Sequence, residues 1–184
     1  MLIGVISDTH GNLAGWEQAW SLGLKDADVI FHCGDMLYHG PKFAPPEAYD
    51  PKALAEAING CGKPVLVARG NGDSEVDQLV LEVPIQQPCV FAVIEGTRIL
   101  ATHGHLMTLD SLANVADKWG LHLVFTGHTH VPVIGALGKA VHVNPGTVTY
   151  PLATEERLKK KTFALIKDGR LQIVDIETGA VVLS

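Results

Sequence analysis

Leu2-Ile3-Gly4-Val5-Ile6-Ser7-Asp8-Thr9-His10 opens the chain with an unbroken apolar run that ends on a carboxylate and an imidazole. An apolar run without polar alternation predicts a strand covered on both faces. The loop after such a strand leaves its C-terminal end, which is where open sheets collect ligand-binding side chains. The same arrangement recurs four times downstream. Residues 28–32 form a second apolar run, followed by Gly34-Asp35, and 65–68 a third, followed by Gly70-Asn71. Residues 98–102 lead to His103, and 121–126 lead to Gly127-His128-Thr129-His130.

Between these runs the chain alternates helices and turns. Asn12 is placed to cap a helix carrying Trp16, Ala19, Trp20 and Leu24 at helical spacing, and Asp50-Pro51 opens another with Leu54 and Ile58 one turn apart. Leu112, Ala116 and Trp119 mark a third across 110–119. Residues 36–49 hold Pro41, Pro45 and Pro46 and read as a loop. Hairpins are predicted for 90–94 with 98–102, and for 163–167 with 171–176 around Asp168-Gly169. A further strand falls at 140–143. Helices concentrate in the first half and hairpins in the second, which predicts an α+β fold of two mixed sheets packed together with helices outside. No repeat or linker divides the chain, so residues 1–184 are expected to form one domain.

The chain has 184 residues and a net charge of −6, which argues against broad electrostatic binding of nucleic acid or an anionic membrane. No segment approaches the roughly 18 apolar residues of a membrane span. The start lacks the basic and small-residue features of a secretion signal. Cys33, Cys61 and Cys89 are odd in number and widely spaced, so they read as small buried hydrophobes in a reducing, cytoplasmic setting.

Asp8, His10, Asp35, Asn71, His103, His128 and His130 supply carboxylate, amide and imidazole ligands without thiolate. In extended backbone Asp8 and His10, two apart, would point to one side with Thr9 turned away. Gly11 and Gly34 would leave room where backbone crowds the ions. Asp35 offers two oxygens and can bridge two cations at roughly 3.5–4 Å, an arrangement suited to attack on phosphate esters by a bridging hydroxide. Taken singly, Asp-x-His or Gly-Asp is a turn or cap. Their joint occurrence at strand ends points to a site.

Asp-x-His, Gly-Asp, Gly-Asn-x-Asp, Thr-His-Gly-His and Gly-His-Thr-His, in this order, resemble the calcineurin-like metallophosphoesterase superfamily. Arg69-Gly70-Asn71, residues 73–77 and Asn144-Pro145-Gly146 bring the resemblance to its small bacterial and archaeal phosphodiesterases of the YfcE type. The resemblance implies a four-layer α/β/β/α sandwich and a dinuclear centre, often of manganese. It assigns Asp8, His10 and His130 to the first ion, Asn71, His103 and His128 to the second, and Asp35 to both. The donor types also suit zinc, iron, cobalt or nickel. The activity implied is metal-dependent hydrolysis of a small phosphodiester. A phosphomonoesterase or protein phosphatase on the same site, and a non-catalytic scaffold like the similar small retromer subunit, are the rival readings. Small relatives often form homo-oligomers.

One departure concerns the leaving group. Many relatives place histidine after the asparagine, whereas this chain has Gly72. His105 and His39 are the candidate catalytic replacements. Asp73 is expected to orient a neighbouring ligand by hydrogen bonding rather than to bind metal. Arg69 could pair with a carboxylate. Asn144 is expected to turn the chain after a strand, and His32, His122 and His142 to be core histidines.

Overall fold

Ile3 and Val5 point to one side of the first strand and Ile6 to the other, and both sides are buried. The computed structural model describes all 184 residues, Met1–Ser184. In it β1 (Leu2–Ile6) lies parallel to β2 (Val29–His32), and β2 parallel to β3 (Val65–Ala68). A short β4 (Ile85–Gln86) continues the sheet beyond β3. On the other flank β10 (Thr162–Lys167), β11 (Arg170–Asp175) and β12 (Val181–Leu183) add antiparallel strands, giving the order β12-β11-β10-β1-β2-β3-β4.

The second sheet has the order β5-β6-β7-β9-β8. Its members are β5 (Val90–Ile94), β6 (Thr97–Ala101), β7 (Leu123–Phe125), β8 (Pro132–Leu137) and β9 (Ala140–Pro145). Strand β6 runs parallel to β7, and β7 parallel to β9.

Three apolar interfaces hold four layers together. Ile3, Val5 and Phe31 meet Ile99, Phe125 and Val143 between the sheets, with the Phe31 and Phe125 rings edge to face at 5.1 Å. Helices α1 (Leu13–Leu22) and α2 (Pro51–Asn59) cover the outer face of the first sheet, where Trp16, Leu54 and Ile58 pack on Ile6, Ile30 and Val67. Helix α3 (Leu109–Trp119) covers the second sheet through Leu112 and Ala116 against Leu100, Val124 and Leu137. This is the layered α+β sandwich that the pattern of elements implies.

The helix starts follow from capping. Asn12, Asp50 and Thr108 each accept a backbone N–H of the first turn, from Gly15, Ala53 and Ser111. Helix α1 stops at Gly23, so Leu24 packs from a separate 3₁₀ turn (Leu24–Asp26) rather than from the predicted helix. Strands β4, β8 and β12 lie outside the sequence expectation. Strand β8 begins at Pro132 and contains Gly135, both poor strand residues, and it is an edge strand, where such residues are tolerated. Only Cys33 of the three free cysteines is fully buried. No helix is long and apolar enough to cross a membrane.

Candidate metal centre

Because β1, β2 and β3 are parallel in one sheet and β6 and β7 in the other, their C-terminal loops emerge at one edge of the sandwich. Asp8, Asp35, Asn71, His103 and His128 each follow one of these strands within three residues. The loops are laced together. Asp8 N–H donates to Gly34 O at 3.0 Å, His10 N–H to Asp35 O at 3.0 Å and Gly11 N–H to Met36 O at 2.8 Å. The Thr147 and Thr149 hydroxyls donate to the carbonyls of Asp8 and Thr9, each at 2.8 Å.

The backbone here is not extended, which corrects the expectation for the two Asp/His-x-His motifs. Asp8, His10, Asp35, His128 and His130 all have positive φ, from 47° to 66°. Left-handed backbone costs an L-residue roughly 1–2 kcal/mol, and Asp and His tolerate it better than most. Five such residues at one edge are strain maintained by the lacing of the loops. Thr9 turns into the interior, where its hydroxyl donates to Met36 O at 2.8 Å.

The side chains form one continuous array. His10 Nε2 and His130 Nε2 face each other at 3.2 Å, and His130 Nε2 lies 3.2 Å from Asp8 Oδ1. The two oxygens of Asp35 reach opposite ways, Oδ2 to His10 Nε2 at 3.8 Å and Oδ1 to His103 Nε2 at 3.5 Å. Asn71 Oδ1 closes the array 3.2 Å from His103 Nε2. Asp8 with His10 and His130, and Asp8 with Asp35 and His103, form two groups whose ligand atoms lie within 4.8 Å of one another. His128 stands beside them, exposed, its ring centroid 5.0 Å from that of His103.

The residues present fit divalent cations. Asp8 Oδ1 is buried with no hydrogen-bond partner, a costly state for a carboxylate oxygen unless a cation completes it. His10, His103 and His130 each hold Nδ1 against a backbone carbonyl, of Tyr38 at 2.7 Å, Cys33 at 2.7 Å and Tyr150 at 2.8 Å. A carbonyl only accepts, so Nδ1 carries the hydrogen and Nε2 is turned inward to ligate. Lone pairs on the facing His10 and His130 nitrogens repel unless a proton or a cation lies between them.

Burial pushes the Asp35 carboxyl up, but the His103 hydrogen bond and charge, the Gly72 N–H and His10 outweigh it and hold it at about 2. Burial pulls His103 down, and the hydrogen bond to Asp35 with the charges of Asp8 and Asp35 lifts it to about 9. Metal-free His103 is therefore protonated at neutral pH, and a cation must displace that proton.

Asp73 does not touch the histidines; it bonds one candidate ligand, Asp35, through that residue's backbone N–H. Its Oδ2 accepts the N–H groups of Asp35 at 2.9 Å and Gly70 at 2.7 Å, and Oδ1 that of Met36 at 2.7 Å. It fastens the loop after β2 to the loop after β3. Those loops meet at two glycines. A Cβ on Gly34 would lie 2.5 Å from Gly70 N, and one on Gly70 would overlap the Asp35 carboxylate. Gly11, by contrast, makes room for the Tyr49 ring rather than for an ion. Arg69 pairs with no carboxylate: its guanidinium donates to Asp73 O at 3.0 Å and Gln87 Oε1 at 3.1 Å.

Asn144 has two jobs. It caps its own turn by accepting Gly146 N–H at 2.9 Å, and it donates to Gly127 O at 2.8 Å, bracing the loop that carries His128 and His130. His142 is buried against Thr126. His122 is not a core histidine; it is exposed and accepts Arg98 N–H at 2.9 Å. His32 is fully buried, its Nδ1 accepting Gly34 N–H and its Nε2 3.1 Å from the Thr9 hydroxyl.

Burial, opposed by the Asp8 charge, lowers the His32 imidazole to about 4. Above the unfolded value near 6.5 the ring is neutral in both states and costs nothing. As pH falls from 6.5 through about 4, only the unfolded chain takes the proton, so stability is lost, up to about 3 kcal/mol. The metal-free protein should lose melting temperature steadily between pH 6.5 and 4.5 while the His32 ring keeps the ¹⁵N shifts of a neutral imidazole. Protonation-type shifts in the folded protein above pH 5.5 would contradict this.

A cavity of about 470 Å³ opens over the array. His10, Asp35, Asn71, His128 and His130 form its floor, and Tyr38, His39, Lys42, Phe43 and Leu152 its wall. His39 thus faces the cavity, with Nδ1 3.2 Å from Phe43 O. His105 is not part of that lining; its ring stands 5.2 Å from His103 and 6.1 Å from His128, with Nδ1 buried and unpartnered. The contributions of Tyr38, Cys33 and Tyr150 are carbonyls, for which residue type gives no signal. The threonines of Thr147-x-Thr149 offered a weak one, following Asn144-Pro145-Gly146.

Comparison with known proteins matches residues 1–167 to the family model described as the calcineurin-like phosphoesterase superfamily domain. Phosphodiesterase YfcE of Escherichia coli is 39% identical over 146 residues, covering 79% of this chain and 78% of YfcE. A probable metallophosphoesterase of Methanothermobacter thermautotrophicus is 30% identical over 188 residues, covering 99% and 95%. A solved structure of the Escherichia coli YfcE phosphoesterase superposes with a TM-score of 0.83 at 30% identity, covering 100% of this chain and 97% of that one. Vacuolar protein sorting 29 from Cryptosporidium parvum, at 18% identity and a TM-score of 0.69 over 98% and 93% of the two chains, shares the fold.

Proposed function

Since the chain belongs to the calcineurin-like phosphoesterase superfamily, we propose that it hydrolyses small phosphodiesters at a two-metal centre. The observation that carries this reading is Asp35, a buried carboxylate whose two oxygens each face a different imidazole, His10 and His103. Asp8, His10 and His130 would hold one ion, Asn71, His103 and His128 the other, and Asp35 both. Bound there, two divalent cations supply Lewis-acid activation of water and charge neutralisation on the phosphoryl oxygens. Manganese is the first expectation, and the nitrogen and oxygen donors equally accept zinc, iron, cobalt or nickel.

The chain's own residues do the rest. Carbonyls of Tyr38, Cys33 and Tyr150 fix three imidazoles with Nε2 inward, so little reorganisation is needed on loading. Gly72 places no side chain over Asp35 and donates its N–H to Asp35 Oδ1 at 2.7 Å. His39, in the cavity wall, is the better placed of the two histidines to give a proton to the departing oxygen. His105 lies beside the second ligand group and outside the cavity lining. Diesters are favoured over monoesters because Lys42 is the one cationic side chain lining the cavity, and Arg69 is engaged elsewhere. A singly charged diester needs fewer cationic partners.

The family match reaches residue 167, and β11 and β12 pair onward from β10 in the same sheet, so residues 1–184 form one domain on this reading. Three free cysteines suit a cytoplasmic location.

The test is turnover of aryl mono- and diesters by chelated and reloaded protein. Activity is expected to vanish on chelation, to return with manganese and to favour the diester. Metal uptake should release protons and weaken as pH falls below about 9, because His103 must give up its proton. Full activity in the chelated protein would refute the reading, and a monoester preference would move it to the phosphomonoesterase.

A further inference from the structure

The loop after β2 returns over the ligand array as an aromatic wall, and its construction is specific. Phe43 stacks on Tyr150 at 4.4 Å with planes 14° apart, and the Tyr150 and His130 rings are parallel to within 14° at 6.4 Å. The Tyr150 hydroxyl donates to Ala44 O at 2.7 Å, pinning the loop next to Phe43, while the Tyr150 carbonyl orients His130. Tyr150 thus couples the wall to a metal-ligand side chain. Phe43 lines the cavity with exposed Leu152 and Tyr38 nearby, whereas Tyr150 lies behind it.

A phosphodiester has two ester substituents, and only the phosphorus group can reach the ligand array. One substituent must extend along the cavity wall. That wall offers a flat, backed ring at Phe43 with Leu152 beside it and the polar groups of Tyr38, His39, Lys42 and Ser74 around it, so a substituent that meets Phe43 is held by stacking on the ring face. The exposed Lys42 ammonium stands 5.4 Å over the Phe43 ring on a flexible stem that an incoming ring can move aside.

We propose that Phe43, backed by Tyr150, is a specificity-determining shelf that stacks an aromatic or heteroaromatic ring carried on one ester arm of the substrate. The proposal rests on the phosphodiesterase reading and names its substrate class: diesters bearing a planar ring, such as aryl or nucleoside esters.

The probes are the monomethyl esters of phenylphosphonate and methylphosphonate, singly charged diester analogues that lack a good leaving group. Their dissociation constants are measured by calorimetry on the manganese-loaded protein. The phenyl compound should bind the parent protein at least about tenfold tighter than the methyl one. Phe43→Ala should cut that preference to below about threefold with methyl-compound affinity within about twofold of the parent, and Phe43→Trp should retain it. Equal loss of affinity for both compounds in Phe43→Ala would mean that the ring only supports the loop, and would overturn the shelf. So would an unchanged phenyl preference in Phe43→Ala, or no preference in the parent protein. Absence of binding by either compound, together with no turnover of any diester, would instead bring down the phosphodiesterase reading beneath it.

Discussion

Asp35→Asn is expected to lower kcat/KM for an aryl diester by at least about 10³-fold while the far-ultraviolet circular dichroism stays that of the parent. The amide keeps an oxygen to accept Gly72 N–H, so local geometry survives. What disappears is the charge that sits between the imidazoles of His10 and His103. One neutral oxygen cannot serve two cations as a carboxylate does, and metal analysis should find fewer than two ions per chain. Stability changes in the same direction. The folded carboxyl sits at about 2 against 3.8 for the ordinary group, so it contributes stability above pH 3.8 that is lost as pH falls through 2. Removing it costs the metal-free protein on the order of 2 kcal/mol at neutral pH. Parent-like turnover and two bound ions in Asp35→Asn would remove Asp35 from the bridging position.

Asp73→Ala is expected to damage the fold more than any substitution of a candidate ligand. Three N–H groups, of Asp35, Met36 and Gly70, converge on this one buried carboxylate. Truncation leaves each without an acceptor in the interior, at roughly 1–3 kcal/mol apiece, or about 3–6 kcal/mol in total after partial relaxation. For a chain of 184 residues that is a fall of about 10–20 °C in melting temperature. Activity should go with it, since the freed N–H of Asp35 lets the carboxylate swing. Asp73→Asn keeps one acceptor but turns an amide N–H₂ toward another N–H, so its effect should be intermediate. A melting temperature for Asp73→Ala within 3 °C of the parent would show that water satisfies those donors and that the residue is not the fastener described here.

The roles of these two aspartates differ in how far residue type reveals them. Gly34-Asp35 alone would read as a turn, and it points to a ligand because four other strand ends carry metal-ligand residue types in the same way. Gly70-Asn71-Gly72-Asp73 places Asp73 near the site, but nothing in that string says which donors will surround it. The gathered loops were readable for the same reason as the sandwich: continuous apolar runs mark buried parallel strands, and parallel strands share one C-terminal edge. Strand β8 escaped because Pro132 and Gly135 break the signal on an edge strand, where the sheet tolerates them. The short spacing of Asp8 with His10 and of His128 with His130 was informative even though the extended geometry expected for it was not. Tight left-handed turns, not pleats, bring those side chains together.

The candidate site and its place were written in the chain: nitrogen and oxygen donors without thiolate, each released at the end of an apolar strand, in an order shared with a known family. Tertiary structure decided everything that depends on partners distant in sequence and anonymous in type. Backbone carbonyls of Tyr38, Cys33 and Tyr150 aim the imidazoles, Asp73 grips three amides, and Tyr150 raises Phe43 into a wall. The reason is physical. Side-chain character survives as sequence pattern because burial is periodic along an element, whereas a carbonyl or an amide is the same in every residue and acquires a role only when the folded chain brings a donor to it.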